Sequence, residues 1–101
     1  AVSGSGPAYV FLFAERLAEA GRAAGLPADL SAQLARKTVE GAAALMEAEA
    51  ATSPSTLREN VTSPGGTTAA ALDIFNQKDA LRVLVDRAVA AAVARGKELA
   101  G

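Results

Sequence analysis

The residues best suited to binding a small anion lie in one short run, Ser63–Thr68, which reads Ser-Pro-Gly-Gly-Thr-Thr. Glycines allow the backbone to approach a ligand closely, and the first N–H groups of a following helix lack intrahelical acceptors. The positive end of the helix dipole lies at the same place. The run therefore predicts a cradle for a carboxylate or a phosphate. By itself, it also fits a plain loop that ends in an N-cap threonine.

The rest of the chain offers little reactive chemistry. It contains neither histidine nor cysteine, so a histidine-activated serine, a thiolate nucleophile and the commonest metal ligands are excluded. Glu15 and Glu19 stand one helical turn apart and resemble a metal pair, but a solvated face is the better interpretation. Arg36 and Glu40 have the spacing of an exposed helix ion pair. Tyr9, in the first turn of an apolar helix, fits a core or interface position.

Composition places the chain among helical proteins. Of its 101 residues half are apolar, and 26 of these are alanine, the strongest helix former and a poor source of buried area. A net charge of −1 gives no reason to expect nucleic acid or an anionic membrane as a partner. No apolar run reaches the roughly 18 residues of a membrane span. The N-terminus has no signal-peptide pattern and no methionine, so we expect a piece of a longer product. The absence of cysteine fits a reducing compartment, and we expect a cytoplasmic location.

Proline, glycine and capping signals predict about five helices and no strand. Gly25 has the position of a C′ residue, Ser53 and Pro54 those of an N-cap and a first helical residue, and Asp79 that of an N-cap. The predicted helices cover Pro7–Ala24, Pro27–Ala50, Pro54–Val61, Thr67–Asn76 and a long last helix after Asp79. Residues 1–101 are thus expected to form one all-α domain.

Two helices with wide apolar faces and few bulky residues slightly favour a partner chain. The last helix is predicted to be apolar around most of its circumference, and such a helix in a small domain should be covered on more than one side. The small residues Gly41–Ala44 suggest a close helix crossing there. A two-fold dimer would complete such a core, although a monomeric bundle with an alanine-rich core fits the same periodicity.

Several segments together resemble a known family. Ser5–Tyr9 opens the first helix and Ala24–Pro27 ends it. Val61–Thr68 contains the glycine break, and Ala71–Leu72 follows it. In this order they resemble the C-terminal, helical dimerisation domain of Δ1-pyrroline-5-carboxylate reductase, and the resemblance covers essentially the whole chain. The Ser-Pro-Gly-Gly-x-Thr segment is the family's signature.

The resemblance implies an activity, a set of partners and a set of site residues. The family reduces Δ1-pyrroline-5-carboxylate to L-proline with NADPH or NADH, the last step of proline biosynthesis. Its helical domains form an intertwined homodimer, and in some members five dimers form a ring. By resemblance, Ser63 and the backbone of Gly66 and Thr67 hold the substrate carboxylate, Gly65 supplies the tight turn, and Thr68 hydrogen-bonds the ring nitrogen as the catalytic residue.

The chain departs from the whole enzyme in two respects. The Gly-x-Gly-x-x-Gly fingerprint of a Rossmann domain is absent, so no residue here is expected to bind the cofactor and the isolated chain is expected to be inactive. Beyond Glu49 itself, the segment Glu49–Ser53 also lacks the Glu/His-type residues expected there from many relatives, so no contact of this segment with the substrate or a neighbouring subunit is expected from the resemblance. Two alternatives remain: a purely structural helical dimerisation module, and the helical domain of another dehydrogenase that acts on a small carboxylate.

Overall fold

A computed structural model describes all 101 residues and shows an all-helical chain without strands, as predicted. The residues form two compact units, Ser3–Ala51 and Thr52–Gly101, with Ala1 and Val2 belonging to the second. The five helices are α1 (Gly6–Ala23), α2 (Ala28–Ala48), α3 (Pro54–Asn60), α4 (Thr67–Asn76) and α5 (Ala80–Ala100), and a tight turn over Gln77–Asp79 joins the last two.

The first unit is a helical hairpin whose turn was predicted from Gly25. The φ of Gly25 is +112°, in the region that favours glycine. Its N–H donates to Arg22 O at 2.9 Å, and the N–H of Leu26 donates to Gly21 O at 3.0 Å. These two bonds form a Schellman motif, which satisfies the last carbonyl groups of α1 and reverses the chain.

The close crossing of α1 and α2 lies near this turn, whereas the sequence suggested that a second helix could cross closely at Gly41–Ala44. Nothing lies within 4 Å of the position that a Cβ would take on Gly41, whereas a Cβ on Gly21 would clash with Ser31 Oγ. Ser31 is 2% exposed, and its hydroxyl donates to Ala18 O at 2.6 Å. The crossing therefore depends on one absent side chain and one buried hydroxyl, because an alanine-rich stripe alone does not fix where helices meet.

In the second unit, Ser53 caps α3 as predicted. Its hydroxyl accepts a hydrogen bond from Thr56 N at 3.2 Å, and Pro54 takes the first helical position. The predicted cap at Asp79 is wrong in detail. Asp79 precedes α5, but its side chain makes no capping bond and its φ is +56°. Lys78 has a φ of +54°, so two consecutive non-glycine residues adopt the left-handed conformation.

Few apolar residues are buried in the chain. Only Ala35 and Leu57 are, and α1, α4 and α5 contain no buried residue at all. The last helix is long, and its apolar side chains are at most half-buried within the chain. α2 ends two residues earlier than predicted, at Ala48, because Glu49 leaves the helical region with φ −113° and ψ 53°. None of the helices is both long and apolar enough to span a membrane.

Candidate functional site

The candidate site is built on a four-residue turn, Ser63 to Gly66, that separates α3 from α4. Ser63 O accepts a hydrogen bond from the N–H of Gly66 at 3.0 Å, with Pro64 and Gly65 between them. Gly65 has a φ of +71°. Proline at the second position and a left-handed glycine at the third are the residues that a type II turn requires. The sequence thus encodes this turn locally.

The turn leads directly into α4, and the first N–H groups of α4 have no hydrogen-bond acceptor. Gly66, and not a threonine, is the N-cap of α4, and no side chain caps the helix. The N–H of Ala70 donates to Gly66 O at 3.2 Å. The N–H groups of Thr67, Thr68 and Ala69 have no acceptor within the chain. Three adjacent donors at the positive end of a helix are suited to binding a carboxylate.

The side chains beside these donors are also available. The hydroxyls of Ser63, Thr67 and Thr68 make no hydrogen bond within the chain. Ser63, Gly65 and Thr67 are exposed, while Gly66 and Thr68 are half-buried. A hydroxyl can donate or accept, so Thr68 can serve either a ring N–H or a carboxylate oxygen. The predicted run therefore combines free backbone donors with free hydroxyls.

A Cβ on Gly66 would crowd the turn. It would lie 3.2 Å from Ser63 O and 3.4 Å from Ser63 Cβ. The N–H of Gly66 is already used by the turn, so it is not among the free donors. What Gly66 contributes is the absence of a side chain, which lets the backbone of Ser63 approach the start of α4.

The sequence interpretation overlooked Thr62, which ties the turn to the end of α3. Its Oγ1 donates to Arg58 O at 2.6 Å, and its N–H donates to Glu59 O at 3.0 Å. Thr62 is half-buried. The four-residue spacing between Arg58 and Thr62 could have revealed it, because a threonine hydroxyl can donate to the carbonyl of the residue four positions earlier.

The other polar residues considered from the sequence form surface pairs. Glu19 pairs with Arg16 at 2.8 Å. The predicted pair of Glu40 with Arg36 does not form; the Glu40 carboxylate instead pairs with Lys37 Nζ at 3.2 Å. Partners at i,i+3 and i,i+4 compete for one carboxylate. No group of three or more acidic residues lies close enough together to hold a metal ion. These exposed pairs add little to stability.

A groove of about 550 Å³ runs between α1 and α2 in the first unit. Its walls are mainly alanine, valine and phenylalanine side chains, with three charged residues among them: Glu15, Arg36 and Glu40. None of the Ser63–Thr68 residues lines it. Arg36 is the one cationic side chain in this lining and two carboxylates accompany it, so the groove is less suited to binding a small anion than the turn before α4.

An all-helical chain that buries so few of its own apolar residues is typical of a helical dimerisation domain. Residues 1–99 match the family model described as pyrroline-5-carboxylate reductase dimerisation. The chain belongs to this family, as the sequence motifs indicated.

Individual relatives agree with the family model. The pyrroline-5-carboxylate reductases of Arabidopsis thaliana and Pisum sativum are 47% and 48% identical to the chain over 98 residues, which is 97% of the chain. That of Mycobacterium leprae is 44% identical over 115 residues and 98% of the chain. These matches cover 35% of each plant protein and 39% of the mycobacterial one, so the chain spans little more than a third of its relatives' length.

A solved structure has the same fold. The crystal structure of Plasmodium falciparum pyrroline carboxylate reductase with NADP bound matches 99% of the chain and 37% of its own length, at 36% identity and a TM-score of 0.88. The relatives' names denote an oxidoreductase, and this chain corresponds to their dimerisation domain.

Proposed function

We propose that residues 1–101 act as the dimerisation and substrate-binding domain of a pyrroline-5-carboxylate reductase, which reduces Δ1-pyrroline-5-carboxylate to L-proline. The observation that carries the proposal is the set of free donors at the start of α4, in a chain that belongs to this family. A cyclic imine with one carboxylate is a substrate that such donors can bind and orient.

Each residue of the cradle has a proposed role. The N–H of Thr67 and the hydroxyl of Ser63 bind the substrate carboxylate, with the positive end of the α4 dipole contributing electrostatic attraction. Gly65 and Gly66 hold the turn in the shape that keeps these donors accessible. The half-buried Thr68 hydroxyl accepts from the protonated ring nitrogen and so fixes the imine's orientation.

This chemistry requires no strong acid from the chain. Fixing the orientation of the reacting group can contribute a large part of a rate enhancement. An imine that binds already protonated needs an acceptor for its N–H and no further proton donor, which fits a chain without histidine.

NADPH or NADH would supply the hydride. The residues of this chain do not fit a dinucleotide, because the chain is entirely helical and has no strand–turn–helix unit of the kind that binds one. We therefore assign dinucleotide binding to an N-terminal Rossmann domain of the natural full-length protein.

Exposed apolar surface supports a homodimer. The chain exposes 21 large apolar side chains while burying only Ala35 and Leu57 among its apolar residues, and extensive apolar exposure marks interaction surfaces. Phe11 and Ile74 are 67% and 69% exposed. Replacing either with aspartate should raise the dimer dissociation constant measured by sedimentation equilibrium, whereas Gln33→Glu should not. A monomeric unmodified protein would contradict this part of the proposal.

Finer features follow from the resemblance. We propose an intertwined dimer, with further assembly of five dimers into a ring as in some family members, and a cytoplasmic location. Light-scattering mass measurements on the natural full-length protein distinguish a dimer from a ten-chain particle. Fractionation of the source cells tests the location.

The activity is tested by NAD(P)H oxidation with Δ1-pyrroline-5-carboxylate, using the natural full-length protein and its Thr68→Ala variant. We expect turnover that falls by at least ten-fold in the variant. Ser55→Ala, an exposed change on α3, is the control and should leave the rate unchanged.

Other outcomes point elsewhere. Turnover that Thr68→Ala leaves intact would keep the activity but remove Thr68 from the site. No turnover from a folded dimer would favour the purely structural module. Turnover of a hydroxy acid with NAD(P)+, and not of the imine with NAD(P)H, would favour a different small-carboxylate dehydrogenase.

A further inference from the structure

We infer that Thr62 is a positioning residue of the substrate cradle. Its hydroxyl is bonded to a carbonyl in the last turn of α3, and this bond anchors the turn in which Ser63 lies. This inference rests on the proposed function and extends it to a residue outside the Ser63–Thr68 run. Thr62 does not contact the substrate in this scheme; it acts through Ser63.

The first step of the argument is the double attachment of Thr62. Its hydroxyl donates to Arg58 O at 2.6 Å, and its N–H donates to Glu59 O at 3.0 Å. Both acceptors belong to the last turn of α3, where carbonyl groups have no intrahelical partner. The two bonds fix both the backbone and the side-chain rotamer of Thr62.

The second step is the limited packing of α3 against the other helices, although its Leu57 is buried. α3 packs extensively against no other helix, so the segment between Val61 and Gly66 is the main connection between α3 and the start of α4. Ser63 follows Thr62 directly, and its hydroxyl has no partner within the chain to hold it. The position of that hydroxyl therefore depends on the turn bond to Gly66 on one side and on Thr62 on the other.

The third step is what loosening would do. Without the Thr62 hydroxyl, Ser63 would sample more positions before the substrate arrives, and binding would have to restrict it. That cost weakens binding of the carboxylate. One net hydrogen bond corresponds to a loss of about two- to twelve-fold in affinity.

The test compares Thr62→Val with Thr62→Ser in the natural full-length protein, by steady-state kinetics with Δ1-pyrroline-5-carboxylate and NAD(P)H. Valine keeps the shape and removes the hydroxyl, and serine keeps the hydroxyl. We expect Thr62→Val to raise the KM for the imine by about two- to twelve-fold. The KM for NAD(P)H should stay unchanged, kcat should change less than the imine KM, and Thr62→Ser should match the unmodified protein.

Thr38→Val is the matched control. The Thr38 hydroxyl makes the same kind of bond, to Leu34 O at 2.6 Å in α2, but lies outside the turn. A general loss of helix stability would affect both valine variants alike, whereas the positioning role affects only Thr62→Val. If Thr62→Val does not fold, Thr62→Ala is measured in its place.

Three results would overturn the inference while leaving the proposed function intact: an unchanged imine KM in Thr62→Val, an equal defect in Thr62→Ser, or an equal defect in Thr38→Val. Absence of imine turnover in the unmodified protein is a different result. It would overturn the proposed function, and the role of Thr62 with it.

Discussion

Ser31 of α2 occupies the space that a side chain on Gly21 of α1 would need. The Ser31 hydroxyl also donates to Ala18 O at 2.6 Å, so one residue both fills the crossing and bonds across it. Ser31 and Ala35 are the only buried residues of α2. The register of the α1–α2 hairpin is therefore set by a glycine–serine contact rather than by large apolar side chains.

The first prediction concerns this contact. Gly21→Ala should lower the free energy of unfolding by about 1–3 kcal/mol, because the added methyl would displace the Ser31 hydroxyl in a packed crossing. Gly41→Ala is the control, since nothing lies within 4 Å of a Cβ there. It should raise stability by about 0.5–1 kcal/mol through helix propensity. Urea unfolding at one fixed protein concentration measures both, and equal effects would contradict the crossing.

The second prediction concerns the left-handed pair between α4 and α5. Lys78→Gly and Asp79→Gly should each raise the free energy of unfolding by about 0.5–1 kcal/mol, because glycine adopts a positive φ without the strain that other residues incur. Arg87→Gly, an exposed change inside α5, should lower it by about 1 kcal/mol. Thermal unfolding followed by circular dichroism separates the two cases. Loss of stability in both glycine variants at the turn would mean that it is not left-handed.

The third prediction separates conformation from space at Gly65. A Cβ at this position would meet nothing within 4 Å, yet the φ is +71°. Gly65→Ala should therefore cost about 1 kcal/mol of stability and raise the imine KM, because the turn before α4 becomes strained. Gly65→Asn should be milder, since asparagine tolerates the left-handed region. An alanine variant as active and stable as the asparagine variant would refute the strain argument.

The fourth prediction concerns the cap of α3. Ser53→Ala should cost about 1 kcal/mol, because the Thr56 N–H loses its acceptor. Ser53→Asp should retain most of the stability, as a carboxylate also accepts from the first turn and interacts well with the helix dipole. Chemical unfolding of the three proteins at one fixed concentration checks this order. An alanine variant that matches the aspartate variant would show that the cap contributes nothing.

Local signals predicted much of the fold. Ser53 and Gly25 are an N-cap and a C′ residue as expected, and α4 begins and ends at the predicted Thr67 and Asn76. These features depend on residues within one turn of each other, through caps, positive φ and fixed proline geometry. The candidate turn belongs to the same category, and the role proposed for it came from the resemblance to the family signature.

Errors arose where local chemistry permits several answers. The sequence suggested a close helix crossing at Gly41–Ala44 and did not single out Gly21, and Glu40 was paired with Arg36 rather than with Lys37. Asp79 was expected to cap α5 with its side chain, but the backbone is left-handed there instead. In each case several partners or conformations have similar local energies, so packing decides among them.

The sequence by itself determined the all-helical class, the helix ends with strong capping or turn residues, and the family. Only the tertiary structure decided that α1 and α2 meet at Gly21 and Ser31, that Thr62 is tied back to α3, and which N–H groups at the start of α4 are free. The reason is physical. A cap or a type II turn is specified by neighbouring residues, whereas a helix crossing and the accessibility of a donor depend on atoms brought together from distant parts of the chain.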